Sequence, residues 1–111
     1  MKIAEQQHGA VTVIRPTGPL CGPDAQEVKL RLLAAFKSTR GRFVIDASEI
    51  AFVDGAALEM LLDVTDAMNR TGQTLKLCGA NETISQVMEL TGLTPQFEFF
   101  SDANAAVRSF L

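Results

Sequence analysis

Short β-branched runs alternate with helix-length amphipathic stretches along most of this chain, and few architectures accept that order. "VTVIRPTG" (11–18) reads as a strand that ends at Gly18. The preceding "KIAEQQHG" reads as a shorter strand turned at His8 and Gly9, so the two make a hairpin. "GPLCGPDA" (18–25) is punctuation rich in Gly and Pro. A helix follows over "DAQEVKLRLLAAFKS" (24–38), with Asp24 as N-cap, Glu27 completing a capping-box-like pair, and Gly41 as the stop. Its core face is Val28, Leu32, Ala35 and Phe36.

The alternation continues to the end. "RFVIDAS" (42–48) fits a buried strand, and "TLKLCG" (74–79) and "QFEFF" (96–100) two more. Helices are expected over 55–70 with Asp54 as N-cap, over 81–92 between Asn81 and Gly92, and over 102–111 behind Asp102. A hairpin followed by alternating helices and strands implies an α/β fold, with a mixed central sheet of about five strands and about four covering helices. A length of 111 residues and the absence of any linker imply one domain over 1–111.

Composition excludes several functions. The net charge of -3 comes with no basic stripe, so nucleic acid is not an expected partner. No apolar run approaches the ~18 residues of a membrane span, and "MKIAEQQHGA" lacks a signal-peptide core. A cytoplasmic location without direct membrane insertion is the expectation. Cys21 and Cys78 belong to no C-x-x-C pair and read as free thiols. His8 is the only histidine, so no metal site is expected. No phosphate-binding glycine motif occurs and no Ser or Cys has a plausible His partner, so neither a cofactor nor catalysis is expected. Asp46 reads as a strand-end residue bonding to nearby amides rather than as half of an acidic pair with Asp54.

The stretch "IAFVDGAALEMLL" (50–62) concentrates the functional signal. An Asp at a helix start accepts from the free amides of the first turn, and that positive end favours anions. On a helical wheel, Glu59, Asp63, Asp66 and Arg70 form a polar stripe, while Leu58, Leu61, Thr65 and Met68 face the core. Ala56, Met60, Val64 and Ala67 make a further apolar strip, wider than one sheet contact needs. Either a neighbouring helix covers this strip, or Ala56 and Met60 are partly exposed and bind a partner. No hydroxyl occurs at Gly55, Ala56 or Ala57; the nearest are Ser48 and Thr65.

Three segments in this order and spacing resemble the STAS family of sulfate-transporter and anti-sigma-factor-antagonist domains. "TGPLCGPDA" (17–25) is similar to the family's T-G-x-L-D-x-x-[TN]-A. "FVDGAALEMLL" (52–62) lies on [FY]-[IMV]-D-[ST]-[SA]-G-[LI]-x-x-L, and "LKLCGANETISQVMELTGL" (75–93) resembles L-x-L-x-G-x-[NS] with its following helix. The resemblance implies a STAS-like fold and a protein-binding role, with an anti-sigma factor or serine kinase-like ATPase as partner. In antagonists of the family, the Ser or Thr after the Asp is phosphorylated by the anti-sigma factor, which breaks the complex. Here Asp54 matches the Asp, Gly55 stands at the acceptor position, and Ala56, Ala57 and Leu58 follow. Cys21 departs from the usual Asp. The resemblance therefore implies a retained docking surface of Ala51, Phe52, Asp54, Gly55, Ala56, Glu59 and Met60, with the phosphorylation switch lost at Gly55. Stand-alone relatives also brace the ATPase of lipid-transport ABC complexes, and that alternative stays open. The C-terminal "VRSFL" either covers the sheet or pairs with another chain, which leaves a homodimer open as well.

Overall fold

The computed structural model describes residues 1–111. Strand β1 (Lys2–His8) and strand β2 (Val11–Thr17) form an antiparallel hairpin in which His8 faces Val11 across a two-residue loop. The first strand is as long as the second. Strand β3 (Phe43–Asp46), strand β4 (Leu75–Cys78) and strand β5 (Phe97–Phe100) then add in parallel, giving the sheet order β1-β2-β3-β4-β5. Helix α1 (Pro23–Thr39) connects β2 to β3, α2 (Gly55–Asn69) connects β3 to β4, and α3 (Glu82–Leu90) leads from β4 towards β5 through a short 3-10 turn. Helix α4 (Ala103–Arg108) closes the chain. This is the mixed five-stranded, four-helix architecture that the alternation implies.

The near-continuous apolar character of the central strands follows from burial on both faces. On β3, Phe43 and Ile45 join the main core with Ile14, Leu75, Leu77 and Phe97, under α1, α2 and α3. Val44, between them, points the other way into a smaller cluster with Val11, Cys78 and Ala106 of α4. Val107 and Phe110 pack on that cluster, so the C-terminal segment covers the back of the sheet.

Three further expectations are corrected. Helix α1 begins at Pro23, not Asp24, and its N-cap is Gly22 with φ 55, without a side-chain cap. Proline has no N–H to satisfy and a φ already suited to the first helical position, so it outcompetes Asp24 as the starting point. Phe36 lies only partly buried beside the core that Val28, Leu32 and Ala35 enter. The third correction concerns Met60 of α2: of the two readings of its apolar strip, cover by a neighbouring helix is the one that holds at Met60. The buried residues of α2 are Ala57, Met60, Leu61, Val64, Thr65 and Met68. That stripe is wide because α2 meets both the sheet and α1, and Lys29 of α1 donates to Asp63 of α2 at 3.0 Å. Met60 is 4% exposed, so it belongs to the core and not to a partner-binding surface.

Thr65 is fully buried, and its Oγ1 finds no hydrogen-bond partner. A buried hydroxyl without a partner loses its hydration and gains nothing in return. Valine has nearly the same shape and no polar atom. Thr65→Val is therefore expected to raise unfolding stability by about 1 kcal/mol, read from the urea midpoint at unchanged slope.

Candidate functional site

The ends of β2, β3 and β4 deliver the chain to one rim of the sheet, where α1, α2 and α3 begin. Two connections run side by side there. The N–H of Gly18 donates to the Glu49 carbonyl at 2.9 Å, and that of Leu20 to the Phe52 carbonyl at 2.9 Å. The Asp54 N–H returns to the Leu20 carbonyl at 3.3 Å, and Leu20 and Val53 form a short parallel bridge. Leu20 and Ile50 anchor these connections in the core. The irregular backbone thus finds partners without belonging to a long strand.

Asp54 ties the arrangement together. One carboxylate oxygen accepts from the Ala57 N–H at 2.9 Å and caps α2. The other accepts from the Gly22 N–H at 3.0 Å, at the start of α1. Gly22 presents that N–H from a positive φ, a conformation that glycine adopts without steric cost. Both oxygens of Asp54 are therefore engaged, and the Ala57 and then the Gly22 N–H hold its carboxyl below the usual carboxylate range.

Asn81 performs a similar double task. Its side-chain oxygen accepts from the Ile84 N–H at 2.8 Å and caps α3. Its amide nitrogen donates to the carbonyls of Ile50 and Ala51 at 3.2 and 3.0 Å. Behind it, Asp46 accepts from the Ser48 N–H at 3.0 Å, as expected for a strand-end Asp. A side chain at Gly79 would sit 3.1 Å from Ser48 Cβ and 3.2 Å from Asp46, so the close approach depends on glycine. The sequence pattern identifies Asn81 as a cap but gives no sign of its bonds to 50–51; the resemblance to L-x-L-x-G-x-[NS] is the signal that marks Gly79 and Asn81 together.

The surface held by these bonds consists of Ala51, Phe52, Gly55, Ala56 and Glu59, all exposed, around a half-buried Asp54. Phe52 is 47% exposed, an unusual position for a phenyl ring. Gly55 is the first residue of α2, and a Cβ added there meets nothing within 4 Å. Met60 lies beneath the surface. Asp54 is committed to backbone amides. The Cys78 thiol is buried at the back of the sheet and pushed up to about 12 by burial, with the charges of Asp46 and Asp102 adding to the effect. Both cysteines are free, and no three His, Cys, Asp or Glu side chains gather as a metal site. No helix is long and apolar enough to cross a membrane.

A protein-family model of the STAS domain matches residues 2–106. No curated protein matches the chain in sequence. In fold the chain is similar to the Thermotoga maritima protein TM1081, with a TM-score of 0.86, 16% identity, and coverage of 96% of this chain and 92% of that one. An anti-sigma factor antagonist from Mycobacterium paratuberculosis gives 0.82 at 17% identity, covering 97% and 92%. SpoIIAA of Bacillus, in its unphosphorylated form, gives 0.76 at 16% identity, covering 98% and 96%.

Two outcomes test the bonding at this rim. A carboxylate whose folded pKa is depressed stabilises the fold fully above its unfolded value of about 3.9, and that contribution is lost as pH falls through the folded value. Asp54→Asn keeps one acceptor at most. Its melting temperature is expected to lie below the wild type at neutral pH, with the gap narrowing below about pH 4. Asn81→Ala is expected to cost about 1–2 kcal/mol in urea unfolding, through the lost cap and the released 50–51 segment.

Proposed function

The chain belongs to the STAS domain family, and on that premise we propose that it is a non-enzymatic, protein-binding regulator of the anti-sigma factor antagonist type. Its partner is an anti-sigma factor or a related serine kinase-like ATPase. The docking surface is Ala51, Phe52, Asp54, Gly55, Ala56 and Glu59. The observation that carries the reading is the Asp54 clamp. It holds the 50–54 segment and the start of α2 in one shape while leaving Phe52 exposed among small residues. A rigid aromatic side chain in such a setting is a usual interface anchor.

The same reading makes binding independent of phosphorylation at the helix start. SpoIIAA has been solved in a phosphorylated form. A phosphate brings nearly two negative charges, enough to disrupt an interface placed beside an acidic residue. Gly55 has no hydroxyl to accept one, so the docking surface stays permanently competent. The space around Gly55 also suits restoration of a hydroxyl, because a Cβ added there meets nothing within 4 Å.

The test begins with the tagged protein as bait in lysate of its source organism, with co-purifying proteins identified by mass spectrometry. A kinase-like ATPase or anti-sigma factor supports the reading; ABC-transporter subunits overturn it in favour of the bracing role. With the recovered partner purified, Phe52→Ala is expected to weaken binding by about 1–2 kcal/mol, and Ala56→Glu to abolish it, with melting temperatures near the wild type. Unchanged affinity in both variants removes the surface. Met60→Arg is not a fair probe, since it places a charge in the core. Gly55→Ser is expected to fold normally and to gain a phosphate when incubated with an ATPase partner and ATP.

A further inference from the structure

The sheet leaves two edges open, at β1 and at β5. The β1 edge carries Lys2, Glu5, Gln6, Gln7 and His8, the polar and charged residues that usually protect an edge. The β5 edge reads Phe97-Glu98-Phe99-Phe100, and its one charge lies 3.6 Å from Lys76 of the neighbouring strand. Phe99 is 37% exposed, and its ring centroid lies 5.9 Å from that of Phe97. Phe97 is buried in the main core and Phe100 packs on the rear cluster, so Phe99 is the exposed aromatic side chain of this edge, with the Glu98 carboxylate already partnered.

We propose that β5 is a self-association edge, at which two copies of this chain pair their Phe97–Phe100 strands antiparallel about Phe99. The backbone fixes the register. The Gly79 N–H donates to the Phe100 carbonyl at 3.2 Å, so the backbone groups of Phe100 point inward to β4. Alternation along the strand turns those of Phe97 and Phe99 outward. The Phe97 N–H is already bonded to the Thr94 carbonyl. The outward groups left are both those of Phe99, the Phe97 carbonyl and, just beyond the strand, the Ser101 N–H. A two-fold axis at Phe99 uses all of them: Phe99 exchanges two bonds with the second copy's Phe99, and each Ser101 N–H meets the other copy's Phe97 carbonyl. The same axis stacks the two Phe99 rings as a cross-strand aromatic pair. It also sets each Glu98 across from a Phe100. Centring on Glu98 would instead oppose two like charges.

Such an interface is isologous and closes at two copies, giving one continuous ten-stranded sheet. It is small, so the dimer belongs in the weak, micromolar class. Antiparallel pairing turns the second copy end for end. The two rims bearing Asp54 then face opposite directions, and neither is covered.

Sedimentation equilibrium of the full chain, from micromolar to millimolar concentration, tests this directly. The wild type is expected to follow a monomer–dimer equilibrium. Phe99→Lys, with a melting curve confirming the fold, should weaken it by about tenfold or more, because two cations meet at the axis. Gln6→Lys, on the other edge, should leave it unchanged. A second measurement stands independently of that variant's folding. Residues paired through both bonds lie about 5.5 Å apart at Cα, within disulfide reach. In a Cys21→Ala background, Phe99→Cys should therefore oxidise to a linked dimer much faster than Gln6→Cys. A monomer at every concentration overturns the proposal, as does a dimer that survives Phe99→Lys or is weakened equally by Gln6→Lys.

Discussion

The rim of the sheet where the helices begin is tied together by one carboxylate answering to two helices. Asp54 accepts from Ala57 at the start of its own helix and from Gly22 at the start of another, 32 residues away in sequence. The first bond is local and would form in many sequences. The second couples the loop before α1 to the loop before α2, and the backbone bonds of Leu20 with Phe52 and Asp54 follow the same seam. Asn81 adds the third helix by the same device, capping α3 with its oxygen while its nitrogen holds Ile50 and Ala51. Three helix starts and an irregular segment become one piece because two side chains each use both ends.

The rim therefore keeps its shape without any side chain at position 55. The shape is set by Asp54, Gly22, Asn81 and buried anchors such as Leu20 and Ile50. A side chain at Gly55 is no part of that framework: a Cβ added there meets nothing within 4 Å, and the residue is exposed. A hydroxyl there is an addition to a finished structure. The core beneath is indifferent to it as well, since the packing of α2 runs through Ala57, Met60, Leu61, Val64 and Met68.

Much of this was legible in the sequence, for a physical reason in each case. Strands buried on both faces announce themselves as apolar runs, and caps such as Asp54, Asn81 and Asp102 act on amides three residues away. Both signals are local. The errors arose where two local rules competed or where the partner was remote. Pro23 and Asp24 each suit a helix start, and proline prevailed. The apolar strip through Met60 was visible, but a wheel cannot show that α1 lies against it. The second halves of the Asp54 and Asn81 bonds reach across 30 or more residues, and no periodicity encodes them.

The most direct measurement is an NMR titration of Asp54 together with the amides of Gly22 and Ala57. If one carboxylate holds both helix starts, the two amide resonances move together, with a single midpoint below the ordinary carboxylate value. That midpoint matches the one followed at the Asp54 carboxyl carbon. Two amides that titrate separately, or an Asp54 that titrates at the value of a free side chain, would contradict the account.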